Sequence, residues 1–241
     1  MDKAILLILT LPVLLIGCTA ALQQSTATPM PQPTPKPSAT TTPLRYLALG
    51  DSYTIGESVS IDQRFPNLLA DALREQGLPL DSPLIIARTG WTTDELDAGI
   101  NETNPQGMYD LVTLLIGVNN QYRDRDIEEY REQFRALLSR AIAFADGDAD
   151  HVIVVSIPDW GVTPFAGDRD SAKIGDEIDA FNAVNREEAT KAGARYVNIT
   201  PISRLAFDDR TLIARDGLHP SGKMYRMWVE LLLPEALEIL R

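Results

Sequence analysis

The sequence predicts an α/β protein: a three-layer α/β/α sandwich built on a five-stranded parallel sheet. Three observations predict it. Short apolar runs, several closed by glycine or proline, recur through residues 44–241. Between them, apolar residues fall at helical spacing. The runs are apolar at consecutive rather than alternate positions, as strands covered on both faces require. There is no internal repeat, so the segment reads as a single domain.

The elements follow in order. Tyr46-Leu47-Ala48-Leu49 is a buried strand ended by Gly50. Phe65, Leu68, Leu69, Ala72 and Leu73 share one helical face. Leu84-Ile85-Ile86-Ala87 is the second strand, and Leu111 to Ile116, closed by Gly117, is the third. Ile127, Tyr130, Phe134, Leu137, Leu138, Ala141 and Ile142 mark a long amphipathic helix. His151 to Ile157 is the fourth strand, stopped by Pro158. Ile174, Ile178, Phe181, Val184 and Asn185 indicate another helix, and Arg195 to Asn198 a short fifth strand. Met224, Met227, Trp228, Leu231 and Leu232 form a last helix, which Pro234 is expected to kink or restart.

The N-terminal segment is different. Ala4 to Ile16 is an apolar run too short to span a bilayer comfortably and suited to a signal peptide core. The expected division is a signal peptide over 1–17, a Thr/Pro-rich linker over 18–43, and the folded domain over 44–241. The linker carries Pro29, Pro31, Pro33, Pro35, Pro37 and Pro43 and no aromatic residue. Such a stretch buries too little apolar surface to order itself and favours an extended spacer. The formal net charge is −12; residues 1–44 carry only Asp2, Lys3 and Lys36, a net +1, so residues 45–241 carry about −13. A surface this acidic repels phosphate backbones, which argues against a nucleic-acid partner.

The chemistry points to a serine nucleophile. Gly50-Asp51-Ser52-Tyr53-Thr54 follows the first strand, and Asp216-Gly217-Leu218-His219-Pro220 follows the fifth. A serine hydroxyl is a weak nucleophile at neutral pH. It needs a base to take its proton, and the base needs an anion to fix its tautomer. Only two histidines are available. His151 has no acidic or hydroxyl partner at a telling spacing and reads as a surface or capping residue. Asp51 reads as a support for the turn, and Glu57 and Asp62 as loop charges. Position 54 is Thr, so this is not the G-x-S-x-G elbow. Two distant histidines and one cysteine supply no metal-ligand cluster, no glycine-rich phosphate loop is present, and no cofactor is expected.

Four blocks then carry a family resemblance: Gly50-Asp51-Ser52-Tyr53, Gly90 within Arg88-Thr89-Gly90-Trp91-Thr92, Gly117-Val118-Asn119-Asn120, and Asp216-Gly217-Leu218-His219. In this order and at predicted strand ends, they make the chain resemble the SGNH, or GDSL-like, hydrolases, whose fold is flavodoxin-like. The resemblance implies that Ser52 attacks an acyl carbonyl, that His219 is general base and then general acid, and that Asp216 holds its ring. It implies an oxyanion hole from the backbone N–H groups of Ser52 and Gly90 and the side-chain amide of Asn119. Hydroxyl, imidazole and carboxylate are expected to touch in sequence. Gly90 is expected because a side chain would block close backbone approach. Two departures stand out: Asn120 replaces the family's usual Asp, and Tyr53 replaces its Leu.

Tyr53, Trp91, Tyr122, Trp160 and Phe165 are placed in loops on the active edge, where they can line an acyl or alcohol pocket. Leu15-Ile16-Gly17-Cys18 resembles the lipobox of bacterial lipoproteins, which implies lipidation of Cys18 and a bacterial cell-envelope, extracytoplasmic location. An uncleaved anchor is the alternative. The expected function is a serine esterase acting on short-chain acyl or acetyl esters of a small molecule or glycan. The alternatives are an O-acyltransferase or lysophospholipase on the same triad, or a non-catalytic glycan-binding module. Oligomeric state is left open.

Overall fold

The computed structural model describes residues 42–241. The expectations for the signal peptide, for Cys18 and for the linker up to residue 41 lie outside the described residues.

Five strands, β1 (Tyr46–Gly50), β2 (Leu84–Ala87), β3 (Leu111–Leu115), β4 (Val152–Val155) and β5 (Arg195–Val197), form one sheet in the order β2-β1-β3-β4-β5. Every pairing is parallel, as in Leu47 beside Leu84 on one side and Val112 on the other. This is the flavodoxin-like order, and the sheet reverses direction of growth at β1 and β3. All five residues of β1 and of β3 are buried, which explains why these runs lack polar alternation.

The helices are α1 (Ser52–Ile55), α2 (Phe65–Glu75), α3 (Thr93–Thr103), α4 (Val118–Tyr122), α5 (Ile127–Phe144), α6 (Ser171–Ala192), α7 (Thr200–Arg204) and α8 (Gly222–Leu240). Helices α2 and α8 pack together over one face, while α3, α5 and α6 form a row over the other. This gives the expected three layers. Phe65 of α2 meets Tyr225 and Trp228 of α8 in a buried aromatic cluster, with ring centroids 5.0–6.3 Å apart. Such side chains carry much of a core's burial energy. Tyr225 also donates its hydroxyl to the Tyr53 carbonyl at 3.0 Å, joining α8 to α1.

Three differences from the sequence reading concern helices. Pro234 lies inside α8, which runs through it without a break; the residue is on the exposed side. Helix α3 was not evident from periodicity because few of its residues are apolar. A capping box nevertheless marks its start: Thr92 and Glu95 satisfy each other's end of the helix. Tyr53 and Tyr122, read as loop residues, sit in the short helices α1 and α4.

Candidate active site

In a sheet of this order, ligands bind beyond the carboxyl ends of the strands where the order reverses. The chain leaves β1 there and turns at once into α1. Asp51 caps that helix, its Oδ1 accepting from the Tyr53 N–H at 3.0 Å. Gly50 is required by close approach: a Cβ there would lie 2.1 Å from Thr54 Oγ1 and 2.4 Å from the Leu115 carbonyl oxygen. Ser52 is the first residue of α1 and is buried. Its N–H donates to no acceptor among the described residues. A first-turn amide has no partner within its own helix, so it is free to serve a ligand.

Beyond β2, Gly90 adopts φ +86°. The physical reason for glycine differs from the expected one. A Cβ there would meet only Arg123 Nη2, at 3.7 Å, so space is available and the left-handed backbone is the constraint. Arg123 Nη2 donates to the Gly90 carbonyl at 2.6 Å, and its Nη1 lies 3.3 Å from Glu95 Oε2. This fixes the loop, while the Gly90 N–H has no acceptor among the described residues.

Beyond β3, Asn119 sits in α4. Its Nδ2 donates to the Trp91 carbonyl at 2.9 Å, which orients the amide and uses one of its two N–H bonds. Asn120 is buried and points elsewhere. Its Nδ2 donates to Thr93 Oγ1 at 2.7 Å and its Oδ1 accepts from the Thr93 N–H at 3.1 Å. Thr93 Oγ1 gives its own proton to Gln133. A donor is therefore needed at position 120, which an ionised Asp cannot supply. The Asn in place of the family's Asp is explained by this exchange with α3.

His219 and Asp216 lie in the loop before α8. Asp216 Oδ2 is 2.6 Å from His219 Nδ1, and its Oδ1 accepts from the N–H groups of Leu218 and His219, each at 3.0 Å. Partial burial works against ionisation of Asp216. Hydrogen bonds from Ser58, from the His219 ring and from those two amides outweigh it and hold the carboxyl at about 2. An ionised Asp216 favours the ring tautomer that donates from Nδ1 and leaves Nε2 as the acceptor. The ring of Tyr53 packs on that of His219, with centroids 5.3 Å apart.

These elements converge on one cavity of about 120 Å³, lined by Ser52, Gly90, Asn119 and His219 together with Tyr53, Tyr122, Trp160 and Phe165. One expected contact is missing. Among the described residues no hydrogen bond joins the Ser52 hydroxyl to the His219 ring, so hydroxyl, imidazole and carboxylate do not touch in sequence. The two side chains come from opposite ends of the chain and share only the cavity. Trp91 also departs from expectation: its ring packs on Gly99 of α3, and it is the Trp91 carbonyl that serves the site.

Tyr122, Trp160 and Phe165 form a mutually packed wall, with centroids 5.4–6.0 Å apart. Trp160 is held by its Nε1, which donates to Gln121 at 2.7 Å. Beyond Tyr122 and Trp160 opens a larger cavity of about 530 Å³, lined by charged groups that include Arg169, Lys173 and Glu177. His151 lies away from the site, 3.9 Å from Asp148 before β4. Asp148 caps the turn there, and Asp150 pairs with Arg195 at 2.9 Å. Ser58, Thr89 and Arg123 were not evident as site residues, because their contacts join segments far apart in sequence.

A flavodoxin-like sheet with a buried serine, an imidazole–carboxylate pair and unpartnered amides at its switch point defines a class, the serine ester hydrolases of the three-layer α/β/α fold. Within that class the match is specific. The GDSL-like lipase/acylhydrolase family matches residues 48–227, and the chain belongs to it. Solved structures agree on the fold. TesA superposes with TM-score 0.60 at 20% identity, covering 81% of this chain and 99% of its own. A lipase/acylhydrolase from Enterococcus faecalis gives 0.60 at 21% identity, covering 82% and 97%. Axe2, an acetylxylan esterase from Geobacillus stearothermophilus, gives 0.61 at 18% identity, covering 82% and 96%. No curated protein matches the chain by sequence.

Proposed function

We propose that the chain hydrolyses short-chain carboxylic esters through an acyl-Ser52 intermediate. One observation carries the reading: the Asp216–His219 pair opens on the same small cavity as Ser52 and unpartnered donors from three strand ends. Ser52 Oγ attacks the carbonyl carbon as His219 Nε2 takes its proton. Asp216 supports the imidazolium. The carbonyl oxygen gains negative charge and is met by the N–H groups of Ser52 and Gly90 and by the second amide N–H of Asn119. His219 then protonates the leaving alcohol, and water repeats the sequence in reverse. The gap between Ser52 and His219 is compatible with this route, since catalytic hydrogen bonds commonly tighten only when substrate binds.

The acyl group is small in this reading. The cavity beside Ser52 is small and bordered by Tyr122, Trp160 and Phe165, which supports a short acyl chain. The aromatic wall stops a longer chain. The alcohol part is a small molecule or a glycan, in keeping with the acetylxylan esterase among the fold's neighbours. Purified protein is expected to hydrolyse p-nitrophenyl acetate, and Ser52→Ala to lower kcat by at least about a hundredfold. Equal rates in the two proteins would refute the proposal.

We further propose a lipid anchor on Cys18 that tethers the 44–241 domain to the cell envelope, supported by the Leu15-Ile16-Gly17-Cys18 sequence after an apolar run. Cys18→Ser is expected to move the protein from the membrane to the soluble fraction. Retention on the membrane would instead favour an uncleaved anchor.

A further inference from the structure

The turn that follows α1 makes two contacts the proposed mechanism does not use. Ser58 donates its hydroxyl to Asp216 Oδ2 at 2.7 Å, the same oxygen that pairs with His219 Nδ1. Its neighbour Glu57 accepts from Thr89 Oγ1 at 2.5 Å, and Thr89 adjoins Gly90. One short segment thus touches the acid of the triad and the loop of the oxyanion hole, and it leaves the helix that begins with Ser52.

Ser58 holds an unusual backbone to do so, with φ +65°. A side chain other than glycine in this region is strained, and such strain persists where the surroundings impose it. The side chain of Asp216 is 28% exposed, so water competes for its oxygens. A hydroxyl fixed on Oδ2 limits rotation of the carboxylate and keeps that oxygen in line with the ring.

We infer that Ser58 is a positioning residue for the triad: its hydroxyl sets the orientation of Asp216, and through it the aim of His219 at Ser52. The inference rests on the proposed triad. It predicts that turnover depends on the hydroxyl while stability depends on the backbone. In the full-length protein, Ser58→Gly removes the hydroxyl and relieves the strained φ. Its kcat on p-nitrophenyl acetate is expected to fall about tenfold with KM unchanged, while Tm stays level or rises. Ser58→Ala removes the same hydroxyl but keeps a Cβ at positive φ. It is expected to share the kcat of Ser58→Gly at a lower Tm. The inference is overturned if Ser58→Gly turns over like the unaltered protein, or if kcat follows Tm across the two variants. Ser52→Ala in the same assay separates the two levels. If it is inactive while Ser58→Gly is normal, only the role of Ser58 fails. If Ser52→Ala keeps full activity, the triad itself fails.

Discussion

Asp51 offers the sharpest test of how the turn at Ser52 is built. Its carboxyl is fully buried, and only Oδ1 has a partner, the Tyr53 N–H; Oδ2 has none among the described residues. Burial pushes the carboxyl up to about 7, and the Tyr53 hydrogen bond offsets only part of that rise. The sign follows from linkage. Between the ordinary Asp value and about 7, the folded protein binds a proton that the unfolded chain releases. Stability therefore falls as pH rises through this window and levels off above it. A rise of about three pH units corresponds to about 4 kcal/mol in all, at about 1.4 kcal/mol per unit. Between pH 5 and pH 8 the share is about 2–3 kcal/mol. For a domain of this size that is a Tm change of roughly 5–10 °C. Asn is an equally good cap and carries no charge, so Asp51→Asn removes this term while keeping the acceptor for Tyr53. Thermal melts of both proteins across this range are the assay. The Tm difference, variant minus parent, should increase from pH 5 to about pH 7 and level off towards pH 8. A difference that stays constant would show that Asp51 does not hold its proton in the fold, and that water or an unseen partner satisfies Oδ2.

Two further outcomes follow from the cavity. Asn119→Ala removes the donor proposed for the developing oxyanion and is expected to lower kcat by about a hundredfold or more, with little change in KM; a change confined to KM would count against that role. Tyr122 is 44% exposed and separates the small apolar cavity from the larger polar one. Tyr122→Ala should fold normally and join the two spaces. With each buried methylene worth about 0.8 kcal/mol, the two carbons beyond butyryl should raise the kcat/KM ratio of hexanoyl to butyryl ester by about tenfold. An unchanged chain-length profile would mean that the wall lies elsewhere.

The sequence by itself determined the sheet and singled out Ser52, Gly90, Asn119 and His219, which the fold gathers around one cavity. Strands such as Leu111–Leu115 and helices such as Ile127–Phe144 are written in runs and periodicities that depend on near neighbours. Strand ends in a parallel sheet share one edge, so residues just beyond them are gathered whatever the details of packing. Helix α3 was not read from the sequence, because so few of its residues are apolar; its Thr92–Glu95 cap is the signal that marks it. The tertiary structure alone decided the rest. It replaced a steric reason for Gly90 with a conformational one, gave Asn120 to Thr93, turned the ring of Trp91 away from the site, and left the Ser52 hydroxyl short of His219. It also brought Ser58 to Asp216 across 158 positions of chain. Local patterns fix the backbone of each element. A hydrogen bond between side chains on separate loops depends on how the whole core places those loops, and no short stretch of residues encodes that distance.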